Sequence, residues 1–258
     1  MNETLTVFMI SEIERFREEG RESARRIYHN MLRLLRESAG KEEIGFEEVT
    51  PAFLGNYEFL LLGRGLSWNT VSTYLRTLRA VYNRAVDLRK APYVPHLFRS
   101  VYTGTRADRR RALDAEDMKK VFARLLQSDA VTPAMRGAQE LFILMFLLRG
   151  LPFVDLAYLR KSDLRGNVIS YRRRKTGRPL SVTLTSEAMF LLRKYMSREE
   201  QSPYLFPILH SDEGSPMAYR EYQLALRNFN YQLELVGKLL GLKDRLSSYT
   251  AKHHTISI

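Results

Sequence analysis

The sequence contains no cysteine, so neither disulfides nor cysteine–zinc sites can brace the fold. No apolar run approaches the roughly 18 residues of a membrane span. The start, "MNETLTVFMISEIERF", has acids where a secretory peptide would have basic residues, so a cytoplasmic protein is expected. Histidine is sparse: the five are His29, His96, His210, His253 and His254. None has a metal-ligand spacing with a second ligand on the same expected face, so no metal is expected. The sequence also lacks GKS/GKT, GxGxxG, GxSxG and HExxH motifs. Nucleotide hydrolysis, dinucleotide binding, serine hydrolysis and zincin chemistry therefore have no sequence handle, and no cofactor is expected. Acids are the scarcer charge, 29 against 41 lysines and arginines, for a net charge of +12. That excess favours a polyanionic partner, with nucleic acid the leading candidate and a merely basic soluble protein the alternative.

What is present is a globular chain of 258 residues, 45% of them hydrophobic, long enough for one large or two modest domains. Helical spacing of Phe8, Met9, Ile13 and Phe16, stopped at Gly20, predicts a first helix. A second carries Ala24, Ile27, Tyr28, Met31, Leu32 and Leu35 on one side, with Gly40 beyond its end. Thr50 and Pro51 suit the start of a third. Ser67 is the expected cap of a fourth, whose inward residues are Val71, Leu75, Leu78, Tyr82 and Val86. Four helices thus account for residues 1–90.

Residues 91–112 hold Pro92, Pro95 and Gly104 and then Arg106, Arg109, Arg110 and Arg111. Prolines argue against a continuous helix and charge against a core, so a basic linker is predicted, either a solvated loop or a phosphate-contacting one. Residues 113–258 form the second expected domain. Asp114 can cap one helix and Thr132 with Pro133 another, whose stretch Leu141–Leu148 is apolar enough to be buried nearly all round. The strand signal is confined to "NVISYRRRKTGRPLSVTL": Val168, Ile169 and Tyr171 precede a turn with Gly177, and Leu180, Val182 and Leu184 alternate after it. This predicts a β-hairpin with Lys175 at its tip, and helices resume after it.

Two cations stand at special places. Arg149 ends the most apolar helix, "LFILMFLLRG", just before a glycine. It must be paired, face a cavity or await an anion, unless it merely caps the last carbonyls. Lys175 on a hairpin tip is either a solvated turn lysine or a long ammonium able to reach into a groove.

The order of these segments resembles the tyrosine recombinase (phage integrase) family, and more closely the integrases of Bacteroides-type mobile elements. "SWNTVSTYLRTLRAVYNRAV" resembles the last helices of the family's core-binding domain, and "VYTGTRADRRRAL" its interdomain crossing. "FLLRGLPFVDLAYLRKSDL" resembles the segment bearing the first catalytic arginine, "SYRRRKTGRPLSVTL" the hairpin bearing the catalytic lysine, and "LSSYTAKHH" the helix start written His-x-x-Arg. The fold implied is mainly α: a four-helix, SAM-like core-binding domain and a mostly helical catalytic domain with a small β-hairpin.

The resemblance implies Arg149 as the first arginine, Lys175 as the hairpin lysine, Tyr249 in the histidine's place, Lys252 in that of the second arginine, and His253 as the histidine that follows. It implies Arg106, Arg109, Arg110, Arg111, Arg172, Arg173 and Arg174 as DNA contacts, double-stranded DNA as partner, and self-association on DNA from dimer to tetramer. Site-specific breakage and rejoining of DNA through a phosphotyrosine is the implied activity. A catalytically silent DNA-binding relative is the alternative. Lys252 is a point charge where a bidentate guanidinium is wanted. No tyrosine follows Tyr249, so the expectation is a chain truncated at its carboxy end and inactive as it stands.

Overall fold

The structure, a computed structural model, describes residues 3–105, 113–123 and 131–252. It is mainly helical with one small antiparallel sheet, and it divides into two compact units, residues 1–108 and 109–258. No helix among the described residues is long and apolar enough to cross a membrane.

In the first unit, helix α1 (Leu5–Glu18) starts where Thr4 accepts a hydrogen bond from the Val7 N–H and buries Leu5, Phe8, Met9, Ile13 and Phe16. It stops as the sequence predicts. Gly20 takes φ +65°, and the N–H groups of Gly20 and Arg21 satisfy the carbonyls of Arg17 and Phe16. Helix α2 (Glu22–Ala39) buries Met31, Leu32, Leu34 and Leu35 and ends at left-handed Gly40. Ile27, expected inside, is exposed, while its neighbour Tyr28 takes the inward position and packs edge-on against Phe16 with centroids 4.8 Å apart. Helix α3 (Pro51–Gly63) is capped by Thr50 and begins at Pro51, and α4 (Trp68–Asp87) is capped by Ser67. Leu54, Tyr57, Leu61, Val71, Leu75 and Leu78 from these two helices complete one core.

That core also takes in part of the expected linker. Leu97, Phe98 and Val101 are buried in it. The Tyr82 hydroxyl donates to the Pro92 carbonyl at 3.0 Å, and Glu58 accepts from the Tyr102 N–H at 2.7 Å. The prolines do prevent a regular helix here. Three apolar side chains nonetheless reach the core, because side chains from α3 and α4 satisfy backbone groups that a helix would otherwise pair. Arg106, Arg109, Arg110 and Arg111 lie outside the described residues.

The second unit is built round α6 (Pro133–Leu147), which Thr132 caps and whose apolar stretch is largely buried, as expected. Against it pack α5 (Ala115–Phe122, capped by Asp114), α8 (Ser186–Tyr195), α9 (Pro216–Leu239) and a closing 3-10 turn, Thr250–Lys252. The short α7 (Phe153–Tyr158) follows α6. Buried Gln139 of α6 donates to the carbonyls of Val121 and Ala123, satisfying the end of α5.

The sheet has the order β1-β2-β3. Strands β2 (Val168–Arg172) and β3 (Pro179–Thr183) form the predicted hairpin, with Ile169 opposite Val182 and Tyr171 opposite Leu180. The sequence reading missed β1 (Leu164–Arg165), because two residues cannot display an alternating pattern. Its signal is the two-residue Gly166-Asn167 turn, with Gly166 at φ +60°.

Replacing Leu35, fully buried between helices, with alanine is expected to cost about 2–5 kcal/mol in chemical denaturation. Ile27→Ala on the same helix is expected to stay within about 0.5 kcal/mol. Equal costs would contradict the orientation of α2.

Candidate functional site

The sequence-predicted residues that the structure describes lie on three neighbouring parts of the second unit. The first is the corner after α6. The Leu148 N–H reaches the Leu144 carbonyl, the Gly150 N–H the Phe146 carbonyl at 3.3 Å, and the Leu151 N–H the Met145 carbonyl at 2.9 Å. Backbone donors therefore close the helix, and the Arg149 side chain is not needed as its cap. Nor is that charge buried. The chain turns through two left-handed residues, Arg149 at φ +57° and Gly150 at φ +69°, which turns the guanidinium out of the apolar helix into solvent. A non-glycine residue in this conformation costs about 1–2 kcal/mol. Among the described residues Arg149 has no hydrogen-bond or ion-pair partner.

The second part is the hairpin turn. The Arg173 N–H bonds the Arg178 carbonyl at 2.9 Å, and the Gly177 N–H bonds the Arg173 carbonyl at 2.7 Å. Gly177 supplies the positive φ, +68°. Lys175 occupies the exposed turn between them, as expected, and among the described residues it forms no ion pair.

The turn is fastened to α7 by Asp155, a carboxylate with 3% exposure. Its Oδ1 accepts from the Arg174 N–H at 3.0 Å, and its Oδ2 lies 3.8 Å from Arg173 Nε. Asp155 is six residues beyond Arg149, so this one side chain links the Lys175 turn to the Arg149 corner. The sequence reading gave Asp155 no such role. A lone acid inside the apolar run "LPFVDLAYL" was the available signal, since a charge there needs a partner.

The three hairpin arginines expected on DNA behave differently from one another. Arg172 is exposed and donates to the Gly177 carbonyl at 3.1 Å. Arg173 turns toward Asp155. Arg174 lies over the Tyr158 ring, 3.7 Å from its centroid, and pairs with Glu213, which also takes Arg160 at 2.6 Å. Burial alone would raise the Glu213 carboxyl, but the hydrogen bonds from Arg160 and Arg174 outweigh it and hold the group below its ordinary value. Nothing in the sequence around "HSDEGSP" marks Glu213 in advance. Tyr222, in the same aromatic cluster, is pushed up to about 12, chiefly by burial.

The third part is the closing stretch. Leu246, Thr250 and Ala251 are buried. The Ser248 N–H donates to Asn230 Oδ1 at 2.8 Å, and Thr250 Oγ1 donates to the Ser247 carbonyl at 2.5 Å. The 3-10 turn so formed lies against α6, the helix that leads into the Arg149 corner. Tyr249 is 45% exposed. The Lys252 side chain and His253 lie outside the described residues. Among the described residues no cluster of histidine, aspartate and glutamate could hold a metal ion.

Asp155→Ala is expected to destabilise the unit by about 1.5–3 kcal/mol, the range for hydrogen bonds to a charged group, and to speed amide exchange at Arg174. Unchanged exchange would contradict the anchoring role. The Glu213 carboxyl titrates lower folded than unfolded, so its stabilising contribution is complete above the ordinary glutamate value of 4.5 and is lost as pH falls through the folded value. Melting temperatures measured from pH 6 to 3 should therefore fall less steeply for Glu213→Gln than for the parent.

Residues 4–96 match the family model of the phage integrase SAM-like domain. No curated protein matches the chain in sequence. Among solved structures, the Tn1549 transposon integrase (residues 82–397) in complex with circular intermediate DNA is similar with a TM-score of 0.60. The identity is 13%, over 97% of this chain and 84% of that one. Lambda integrase (75–356), as a dimer bound to a COC′ core site, is similar with a TM-score of 0.57 at 16% identity, over 87% and 75%. A lambda integrase tetramer bound to a Holliday junction gives 0.57 at 15% identity, over 94% and 70%. The chain thus carries a phage integrase SAM-like domain over residues 4–96 and shares the fold of these integrases along nearly its whole length.

Proposed function

We propose that this protein binds duplex DNA and holds one phosphodiester at the Arg149 corner of its second unit, where tyrosine recombinases break and rejoin strands through a phosphotyrosine. The observation that carries this reading is the link through Asp155: an exposed arginine held in a strained turn and an exposed lysine on a hairpin tip are fastened to one element. On this reading residues 1–90 contribute DNA binding, 91–112 cross between the units, and 113–258 supply the chemistry.

Attack of a tyrosine oxygen on phosphorus builds negative charge on the non-bridging oxygens. The Arg149 guanidinium and the cation at residue 252 would oppose that charge. The phosphorus–O5′ bond breaks as the new phosphorus–oxygen bond forms, and Lys175 gives its proton to the departing 5′ oxygen. The phosphodiester energy is kept in the protein–DNA bond, so rejoining needs neither ATP nor a metal. Arg106, Arg109, Arg110, Arg111 and Arg172 are the proposed phosphate contacts. Self-association on DNA, from dimer to tetramer, and a place in a bacterial cytoplasm belong to the same reading.

A catalytically silent DNA-binding relative is the second reading, and two residue identities favour it for the 258-residue chain. Lys252 cannot reproduce a bidentate fork. Tyr249 takes the histidine's position beside the phosphate rather than that of an in-line nucleophile.

Duplex binding is expected to weaken steeply with salt, by a log–log slope of roughly 0.9 per phosphate contact. Joint replacement of Arg109, Arg110 and Arg111 with alanine should weaken it about equally on all sequences. Incubated with a nicked suicide duplex, residues 1–258 should yield no covalent adduct, and Lys252→Arg should tighten binding without restoring one. An adduct lost in Tyr249→Phe would overturn the silent reading. Weak salt dependence would overturn DNA binding itself.

A further inference from the structure

The pairing of Glu213 leaves a feature that the strand-transfer chemistry does not use. Arg160, at the bridge that pairs it with Tyr204, and Arg174, on the hairpin turn, come from separate elements and converge on one carboxylate. Each takes a different oxygen: Arg160 Nη2 meets Oε2 at 2.6 Å, and Arg174 Nη1 meets Oε1. Glu213 is the carboxylate that both guanidiniums contact, while Asp163 acts on Arg160 through space and accepts from its backbone N–H. The Arg174 guanidinium lies over the Tyr158 ring, 3.7 Å from its centroid, a contact that stays with it whichever acceptor is present. Glu213 itself sits in an exposed turn whose next residue, Gly214, has φ +86°. The acid therefore rests on a segment that can leave without opening the core.

A carboxylate and a phosphodiester offer a guanidinium pair the same thing, two equivalent oxygens sharing one negative charge. We propose that Arg160 and Arg174 form an anion site for a DNA backbone phosphate, and that Glu213 occupies this site as an internal stand-in when no DNA is bound. The inference rests on the DNA-binding reading above. Phosphate entry exchanges one anion for another, so the cations remain paired in both states. The exchange also releases Glu213's hold on Arg174, leaving the Lys175 turn fastened to α7 by Asp155 and by the contact of Arg174 with the Tyr158 ring.

The test is duplex binding across a salt series by the full chain and by Glu213→Gln, Arg174→Ala and the double variant, with a melting curve for each. Removing the competing carboxylate should tighten binding by roughly three- to tenfold, the factor expected from one or two partly exposed ion pairs. Arg174→Ala should lower the salt slope by about 0.9, one phosphate contact, and the double variant should lose the gain. Wild-type binding with no gain in a folded Glu213→Gln, or an unchanged slope in Arg174→Ala, overturns this inference alone. Absence of salt-dependent binding by the wild type overturns the DNA reading together with it. If Glu213→Gln does not melt cooperatively, the slopes of Arg174→Ala and Arg160→Ala decide.

Discussion

The buried carboxylate of Asp155 sets the geometry of the second unit's exposed cations. An ionised group removed from water costs several kcal/mol unless hydrogen bonds and opposite charge replace its hydration. Here the replacements come from the hairpin turn, through the Arg174 N–H and the Arg173 guanidinium. These contacts hold the turn against α7, and α7 begins three residues after Gly150, the second residue of the left-handed corner at Arg149 and Gly150. A demand for local charge balance thus becomes a constraint that relates Lys175 to Arg149, residues far apart along the chain.

The same economy governs the rest of the hairpin. Arg172, Arg173, Arg174, Lys175 and Arg178 crowd a short stretch, and like charges this close repel unless acids intervene. Asp155 answers Arg173, Glu213 answers Arg174 and Arg160, and the turn's own Gly177 carbonyl answers Arg172. Lys175 is left as a turn cation without an acid beside it among the described residues. The distribution separates cations that hold the turn in shape from one that stays exposed at its tip. It also explains why three successive arginines that look alike in sequence are not equivalent in space.

The amino-terminal unit rests on a different principle. Its helices are delimited by side-chain caps and left-handed glycines, and its core is closed by a chain segment with no regular structure. Leu97, Phe98 and Val101 supply apolar area, while Tyr82 and Glu58 take the backbone groups that an irregular segment leaves unpaired. Composition alone, with prolines and the basic cluster beyond them, reads as a tether. Three apolar residues are enough to dock its first part.

The sequence by itself determined the elements whose signals are local. Thr50, Ser67, Asp114 and Thr132 cap helices because their oxygens reach N–H groups three residues on. Gly20 and Gly40 end helices because they adopt positive φ without a Cβ clash. The hairpin and its tip lysine were legible because alternation and a glycine turn are properties of a single short stretch. Tertiary structure alone decided which way α2 faces at Ile27, that β1 pairs with β2, that residues 97–101 enter a core, and that Asp155 and Glu213 hold the hairpin arginines. Each of these depends on partners distant in sequence, and a charge-balancing contact leaves no periodic trace in either of the segments it joins.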